Sequence, residues 1–167
     1  MEIIVDGYNL IAFEQGMRGD LERKRNWLLQ QLCTYRECKG FGVTVVFDAW
    51  KAPSVKEVVE SRHGVRVLYS RLGEKADDVI VRITRAKGSG CVVVTSDREV
   101  RRAVERFGAV AIHAAEFNDI LRSLETSGAG IADMADSAED KTTRKGNPHR
   151  LSKIERKRRE MIKKLWP

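Results

Sequence analysis

The sequence predicts a three-layer α/β fold built on a central, parallel sheet, and three observations predict it. Short runs of β-branched residues alternate with stretches of helical period through the first 125 residues. Several runs are apolar throughout rather than at every second position, as strands covered on both faces are. The segments between most of the runs are long enough to hold a crossover helix.

Taken in order, Glu2–Val5 (EIIV) is the first strand, and it meets a loop at Asp6-Gly7. Asp20 is placed to cap a helix running to Lys39, with Leu21, Leu28, Leu32 and Tyr35 on one face and Gly40 just beyond the last turn. Val43–Phe47 (VTVVF) is a second strand, ending on Asp48. Ser54–Ser61 is expected to form a short helix and Val65–Tyr69 (VRVLY) a third strand. Glu74–Ala86 carries Val79, Ile80 and Ile83 at helical spacing. Cys91–Val94 (CVVV) is a strand running into Thr95-Ser96-Asp97, where Asp97 opens a helix to Phe107. Val110–Ile112 and a helix around Glu116–Leu124 close a body spanning residues 1–125. Residues 126–149 are small, polar and glycine-rich, the composition of a flexible linker. Residues 150–167 return to a helical pattern, with Leu151, Ile154, Met161 and Leu165 roughly aligned among Lys and Arg.

The net charge of +7 is unevenly placed. Residues 144–167 hold ten Lys/Arg and two Glu, so the preceding 143 residues hold 21 basic against 22 acidic side chains. The body is nearly neutral and the tail carries the charge, which suits a polyanionic partner, nucleic acid foremost. Lys153, Arg156 and Lys157 are the tail cations assigned to RNA or ribosome contact; docking of the apolar stripe on the body or a partner, or a solvated tail, are the other readings.

Three cysteines (Cys33, Cys38, Cys91) form no CxxC pair, and the three histidines (His63, His113, His149) lie far from them in sequence. Free thiols in a reducing compartment fit this better than a zinc site or disulfides. No run reaches the ~20 apolar residues of a membrane span, and a strand follows Met1 too closely for a cleaved signal. A cytoplasmic protein without membrane association is expected, and the pattern sets no oligomeric state. The absence of a Walker loop, a GxGxxG turn or a Ser-His-Asp pattern argues against nucleotide hydrolysis, dinucleotide binding and covalent acyl transfer.

The acids carry the functional signal. In open parallel sheets ligands bind beyond the carboxyl ends of the strands. Asp6, Asp48 and Asp97 each follow a predicted strand, and Asp77-Asp78 fall in the first turn of the helix after the third. Each has an ordinary structural role available: a turn at Asp6-Gly7, a strand end at Asp48, an N-cap at Asp97 and a favourable helix dipole for the Asp77-Asp78 pair. The dipole accounts for one acid better than two, and the joint pattern points to a metal site. Clustered carboxylates repel one another, and a divalent cation relieves the repulsion. Oxygen-only ligands favour Mg²⁺ or Mn²⁺, and a pair of such ions suits phosphodiester hydrolysis.

The segments IIVDGYNLI (3–11), VVFDAW (45–50), YSRLGEKADDVIVRI (69–83) and VVTSDREV (93–100) resemble the NYN domains, a branch of the PIN-like nucleases. With GAVAIHAAEF (108–117), their spacing is most similar to the bacterial YacP-like family. The order DGYN, ADD, TSD is more specific than any single motif, and the resemblance covers about residues 1–125. It implies a PIN-like sheet with metal-binding acids at its C-terminal edge and a metal-dependent endoribonuclease activity. That family includes a ribosome-associated endoribonuclease acting on messenger RNA in the ribosomal A site, so messenger RNA and the ribosome are the implied partners. Carried over by motif, Asp6 is the central ligand and Asn9 a polar partner orienting it or the substrate. Asp77, with Asp78 beside it, supplies a second carboxylate. Asp97 supplies a third, with Ser96 contacting water or phosphate, while Asp48 lies at the same edge in a supporting position. Many relatives have a single acid where this chain has Asp77-Asp78, so both are candidates. Relatives also tend to carry a glutamine where this chain has Arg101 or Arg102, a departure that bears on substrate contacts.

Arg71 and Lys75 flank the acids and are assigned to gripping RNA. Tyr8 and Trp50 are near enough to stack on a base, with packing against the sheet the alternative for Tyr8. Trp27 is read as core, and Arg23, Lys24 and Arg25 as a solvated helix face. The competing function is a non-catalytic RNA- or ribosome-binding protein on the same fold. A receiver-like domain phosphorylated on Asp48 would leave the ADD and TSD motifs unexplained.

Overall fold

The computed structural model describes residues 1–49, 56–128 and 153–166. Six strands form one sheet in the order β3-β4-β2-β1-β5-β6. They are β1 (Glu2–Asp6), β2 (Gly42–Phe47), β3 (Val58–Arg62), β4 (Val65–Tyr69), β5 (Cys91–Val94) and β6 (Val110–Ile112). All neighbours run parallel except β3 and β4.

Side-chain alternation along each buried strand divides the core into two. Ile3, Val5, Val45, Phe47, Val92, Val94 and Ile112 point to one face, and Ile4, Val46, Cys91, Val93 and Ala111 to the other. The first face is covered by α1 (Gly7–Gln15), α2 (Leu21–Lys39), α5 (Ala114–Gly128) and α6 (Lys153–Leu165). The second is covered by α3 (Ala76–Lys87) and α4 (Arg98–Arg106). This is the three-layer arrangement expected, because strands with two apolar faces are stable only when both are covered.

Two local expectations are corrected. Residues 58–62 form a strand rather than the end of a helix. Their partner β4 is reached through His63-Gly64, both with positive φ (47° and 79°), the two-residue geometry that matches strand twist. The VVESR–HG–VRVLY pattern held that hairpin signal, which the helix-compatible Lys and Glu of residues 56–60 obscured. The second correction is α1: the chain enters a helix directly at Gly7 instead of a loop. The glycine is required there, since a Cβ would lie 2.2 Å from the buried Phe47 ring.

The helix from Asp20 forms as its caps dictate. Asp20 Oδ1 accepts from the N–H groups of Glu22 (2.9 Å) and Arg23 (3.1 Å), and Gly40 ends the helix in the left-handed region. Lys24 is no solvated cation: its Nζ donates to the carbonyls of Gln15, Gly16 and Arg18, tying down the α1–α2 loop. Trp27 packs, partly buried, on the first core face. Cys91 is buried and all three thiols are free.

The basic C-terminal helix docks on the body. Leu165 is fully buried, and the Tyr35 hydroxyl donates to its carbonyl at 3.2 Å. Arg158 pairs with Glu116 at 2.6 Å and Lys157 donates to the Gly108 carbonyl at 2.6 Å. α5 takes in residues 126–128 of the expected linker, whereas 129–149 and Trp50 lie outside the described residues. No helix among the described residues is long and apolar enough to cross a membrane.

Candidate active site

β1 lies between β2 and β5, and the chain leaves β1 toward β2 but β5 toward β6. The strand order therefore reverses between β1 and β5, and the carboxyl ends of these strands border the crevice where open sheets bind ligands. Asp6 ends β1 and simultaneously caps α1. Its Oδ1 accepts from the Asn9 N–H at 3.1 Å and its Oδ2 accepts from the Thr95 hydroxyl at 3.2 Å. The same hydroxyl oxygen accepts from the Asp97 N–H at 3.1 Å, and Asn9 Oδ1 accepts from the Ser96 N–H at 2.8 Å. Asn9 and Thr95 thus clasp the β1–α1 and β5–α4 junctions together. Ser96 Oγ is buried and lacks a hydrogen-bond partner among the described residues.

Asp97 and Asp48 each use Oδ1 for a helix start. Asp97 accepts from Glu99 N–H (2.7 Å) and Val100 N–H (3.2 Å) at the head of α4. Asp48 accepts from Ala76 N–H (2.7 Å), joining the end of β2 to the head of α3. Asp77 and Asp78 differ in role. Asp78 turns back to accept from the Lys75 N–H at 3.4 Å, closing the first turn of α3. Asp77 instead lies in the field of the strand-end acids. Burial foremost, then the charges of Asp97 and Asp48, raise its carboxyl above the usual range, with a smaller push from Asp78 and an opposing pull from Lys75.

Asp6 is only 7% exposed, and burial, with the charges of Asp77 and Asp48 adding to it, pushes its carboxyl up to about 6. The Asn9 and Thr95 hydrogen bonds pull the other way without cancelling that effect. Asp6, Asp48, Asp77 and Asp97 therefore act on one another electrostatically. An all-oxygen donor set under mutual repulsion fits a hard divalent cation. Among the described residues no three His, Cys, Asp or Glu side chains are grouped so that they could hold a metal ion as they stand. The set fits a cation by the chemistry of its donors.

The other expected residues are distributed around this edge. Arg71 and Lys75 line an open groove of about 500 Å³ that begins at Asp48 and Ser70, with Arg71 Nε held by Glu74 at 3.2 Å. Tyr8 is in the core, 8% exposed, edge-on to Phe47 at 5.1 Å, with its hydroxyl accepting from Arg25. That placement is the packing alternative, not a stacking platform. In the tail, Lys153 opens α6, Arg156 is exposed, and Lys157 is drawn to Gly108. His113 serves structurally, its Nδ1 accepting from the Ala115 N–H at the head of α5. Thr95 escaped the sequence reading because its two partners meet only when β1 and β5 pair; its place between a strand end and a capping Asp was the available signal.

A family model described as the YacP-like NYN domain matches residues 3–164, a span that takes in the tail helix as well as the body. The crystal structure of Rae1 (YacP) from Bacillus subtilis is similar, with 27% sequence identity and a TM-score of 0.65 over 77% of this chain and 78% of that one. The structure of a tryptophan-to-leucine mutant of the same Bacillus subtilis protein is similar at 27% identity and a TM-score of 0.64, over 75% of this chain and 77% of that one. Among curated proteins nothing matches.

Proposed function

Because this chain belongs to the YacP-like NYN domain family, a branch of the PIN-like nucleases, we propose that it is a cytoplasmic, metal-dependent endoribonuclease that cuts messenger RNA on the ribosome. The observation that carries the proposal is the cluster of Asp6, Asp48, Asp77 and Asp97 at the strand-order reversal, with Asp6 displaced upward by burial and the charges of Asp77 and Asp48, and Asp77 by burial and the charges of Asp97 and Asp48. Asp6, Asp77 and Asp97 would hold Mg²⁺ or Mn²⁺, with Asp48 supporting them. The bound cation would supply charge neutralisation at the scissile phosphate and raise the acidity of water.

The chain's own residues do the positioning. Thr95 and Asn9 hydrogen-bond around the Asp6 carboxylate and tie the two junctions together. Ser96 offers a hydroxyl without a partner among the described residues, suited to a water or a phosphate oxygen. Asp78 caps α3 and keeps Asp77 in register, which favours Asp77 as the ligand. Arg71 and Lys75 bring positive charge to the groove beside Asp48, where a phosphate backbone would otherwise be repelled.

The test is a translating extract supplied with wild-type protein or Asp6→Asn, each with Mn²⁺ or excess EDTA. Discrete cuts in messenger RNA that disappear with the substitution and with the chelator are expected. Cuts that persist with Asp6→Asn would remove the aspartates from the chemistry. No cuts, with the protein still cosedimenting with ribosomes, would favour a non-catalytic binding protein on this fold.

A further inference from the structure

The acid cluster creates a problem that the groove at Arg71 solves on one side only. A phosphodiester chain approaching four carboxylates needs countercharge where it leaves as well as where it enters. On the far side, α4 starts just after its cap Asp97 and presents Arg98, Arg101 and Arg102 within its first two turns, at a rise of ~1.5 Å per residue. These three arginines line a single open pocket of about 340 Å³ in which Glu105 is the one acid. None of them has an ion pair among the described residues, whereas Arg62, Arg71, Arg82, Arg122 and Arg158 all do. Arg101 Nε is buried and lacks an acceptor among the described residues, an unfilled donor on a guanidinium group. Glu105 also lines a second pocket together with Lys157 and Arg158 of α6, so the surface of α4 adjoins that of the tail helix.

We propose that Arg98, Arg101 and Arg102 form a phosphate-binding track for single-stranded RNA leading from the acid cluster along α4 toward the tail helix. It rests on the nuclease reading for the identity of the ligand. The track positions substrate, and the aspartates act on it. Guanidinium forks suit phosphate oxygens, and a contact of this kind carries no base preference.

The test separates the track from the nuclease reading by measuring binding apart from cleavage. Fluorescence anisotropy of a labelled single-stranded RNA is followed over a salt series with Asp6→Asn, with and without Arg98→Gln, Arg101→Gln and Arg102→Gln together. Three lost phosphate contacts should weaken binding and flatten the slope of log K against log salt by about 2, since each contributes ~0.7 on single strands. The double variant Arg98→Gln/Arg102→Gln, which spares the partly buried Arg101, should flatten it by about 1.4. Equal charge removed elsewhere, with Arg18→Gln, Arg23→Gln and Arg85→Gln, should change it far less. An unchanged slope in both α4 variants, an equal change in the charge control, or no RNA binding by the parent overturns the track. Wild-type cleavage of messenger RNA in the translating extract is scored separately. A flattened slope without cleavage keeps the track and removes the nuclease, and cleavage with an unchanged slope does the reverse.

Discussion

Replacing Asp6 by Asn should destroy activity and stabilise the fold, and the size of the gain follows from its surroundings. The carboxyl has an ordinary value of 3.8 and is pushed up to about 6 by burial and by Asp77 and Asp48. The native state thus holds this proton more tightly than the unfolded chain does. A stability penalty is absent below about pH 4, grows as pH rises to about 6, and is complete above that. At ~1.36 kcal/mol per tenfold change in acidity, the complete penalty is about 3 kcal/mol. Asn keeps an acceptor for the Asn9 N–H, and the Thr95 hydroxyl can rotate to accept from its amide. The variant should gain about 2–3 kcal/mol at pH 8, or about 5–10 °C in Tm for a chain of this size. Thermal unfolding in EDTA at pH 8 and pH 4 measures it. The gain should be present at pH 8 and gone at pH 4. A variant no more stable than wild type at pH 8, or equally favoured at both, would refute the argument that Asp6 is held ionised against its surroundings.

Other consequences are equally concrete. Asp77→Asn should lower the RNA cleavage rate at least about 100-fold, whereas Asp78→Ala should keep the rate and lose about 1 kcal/mol of stability from its cap, read by kinetics and urea titration. Gly7→Ala places a methyl against Phe47, whose ring is fixed by Tyr8 and by Tyr69 at 5.8 Å; a loss of about 1–3 kcal/mol, with an unchanged urea m-value, is expected. Leu165→Ala should cost about 2–3 kcal/mol and expose α6 to limited proteolysis, and resistance equal to wild type would contradict the docking of the tail.

How much of this was legible in the sequence depended on how local each signal was. Continuous apolar runs such as CVVV and the Asp20-to-Gly40 capping pair announce their elements within a few residues, and both formed as read. The strand-end acids were legible for the same reason, since parallel pairing carries the ends of β1, β2 and β5 to one edge. What failed depended on distant contacts. The α1 start at Gly7 requires Phe47, forty residues on, to explain the glycine. The stacking role considered for Tyr8 gave way to burial against that same ring. Lys24 looked like a solvated charge because the carbonyls it holds are brought round by a loop. The β3–β4 hairpin was missed where helix-compatible charges outweighed a two-residue turn. The distinction between Asp77 and Asp78 needed the helix itself, because only its first turn shows which carboxylate closes back on Lys75.

The central claim is that the aspartate cluster is a cation site for RNA cleavage, and the rate of RNA cleavage against free Mn²⁺ tests it most directly. In wild-type protein the rate should rise from nothing in EDTA to a plateau, with no response from Asp6→Asn at any concentration. Cleavage that resists EDTA, or Asp6→Asn responding as wild type does, would contradict the account.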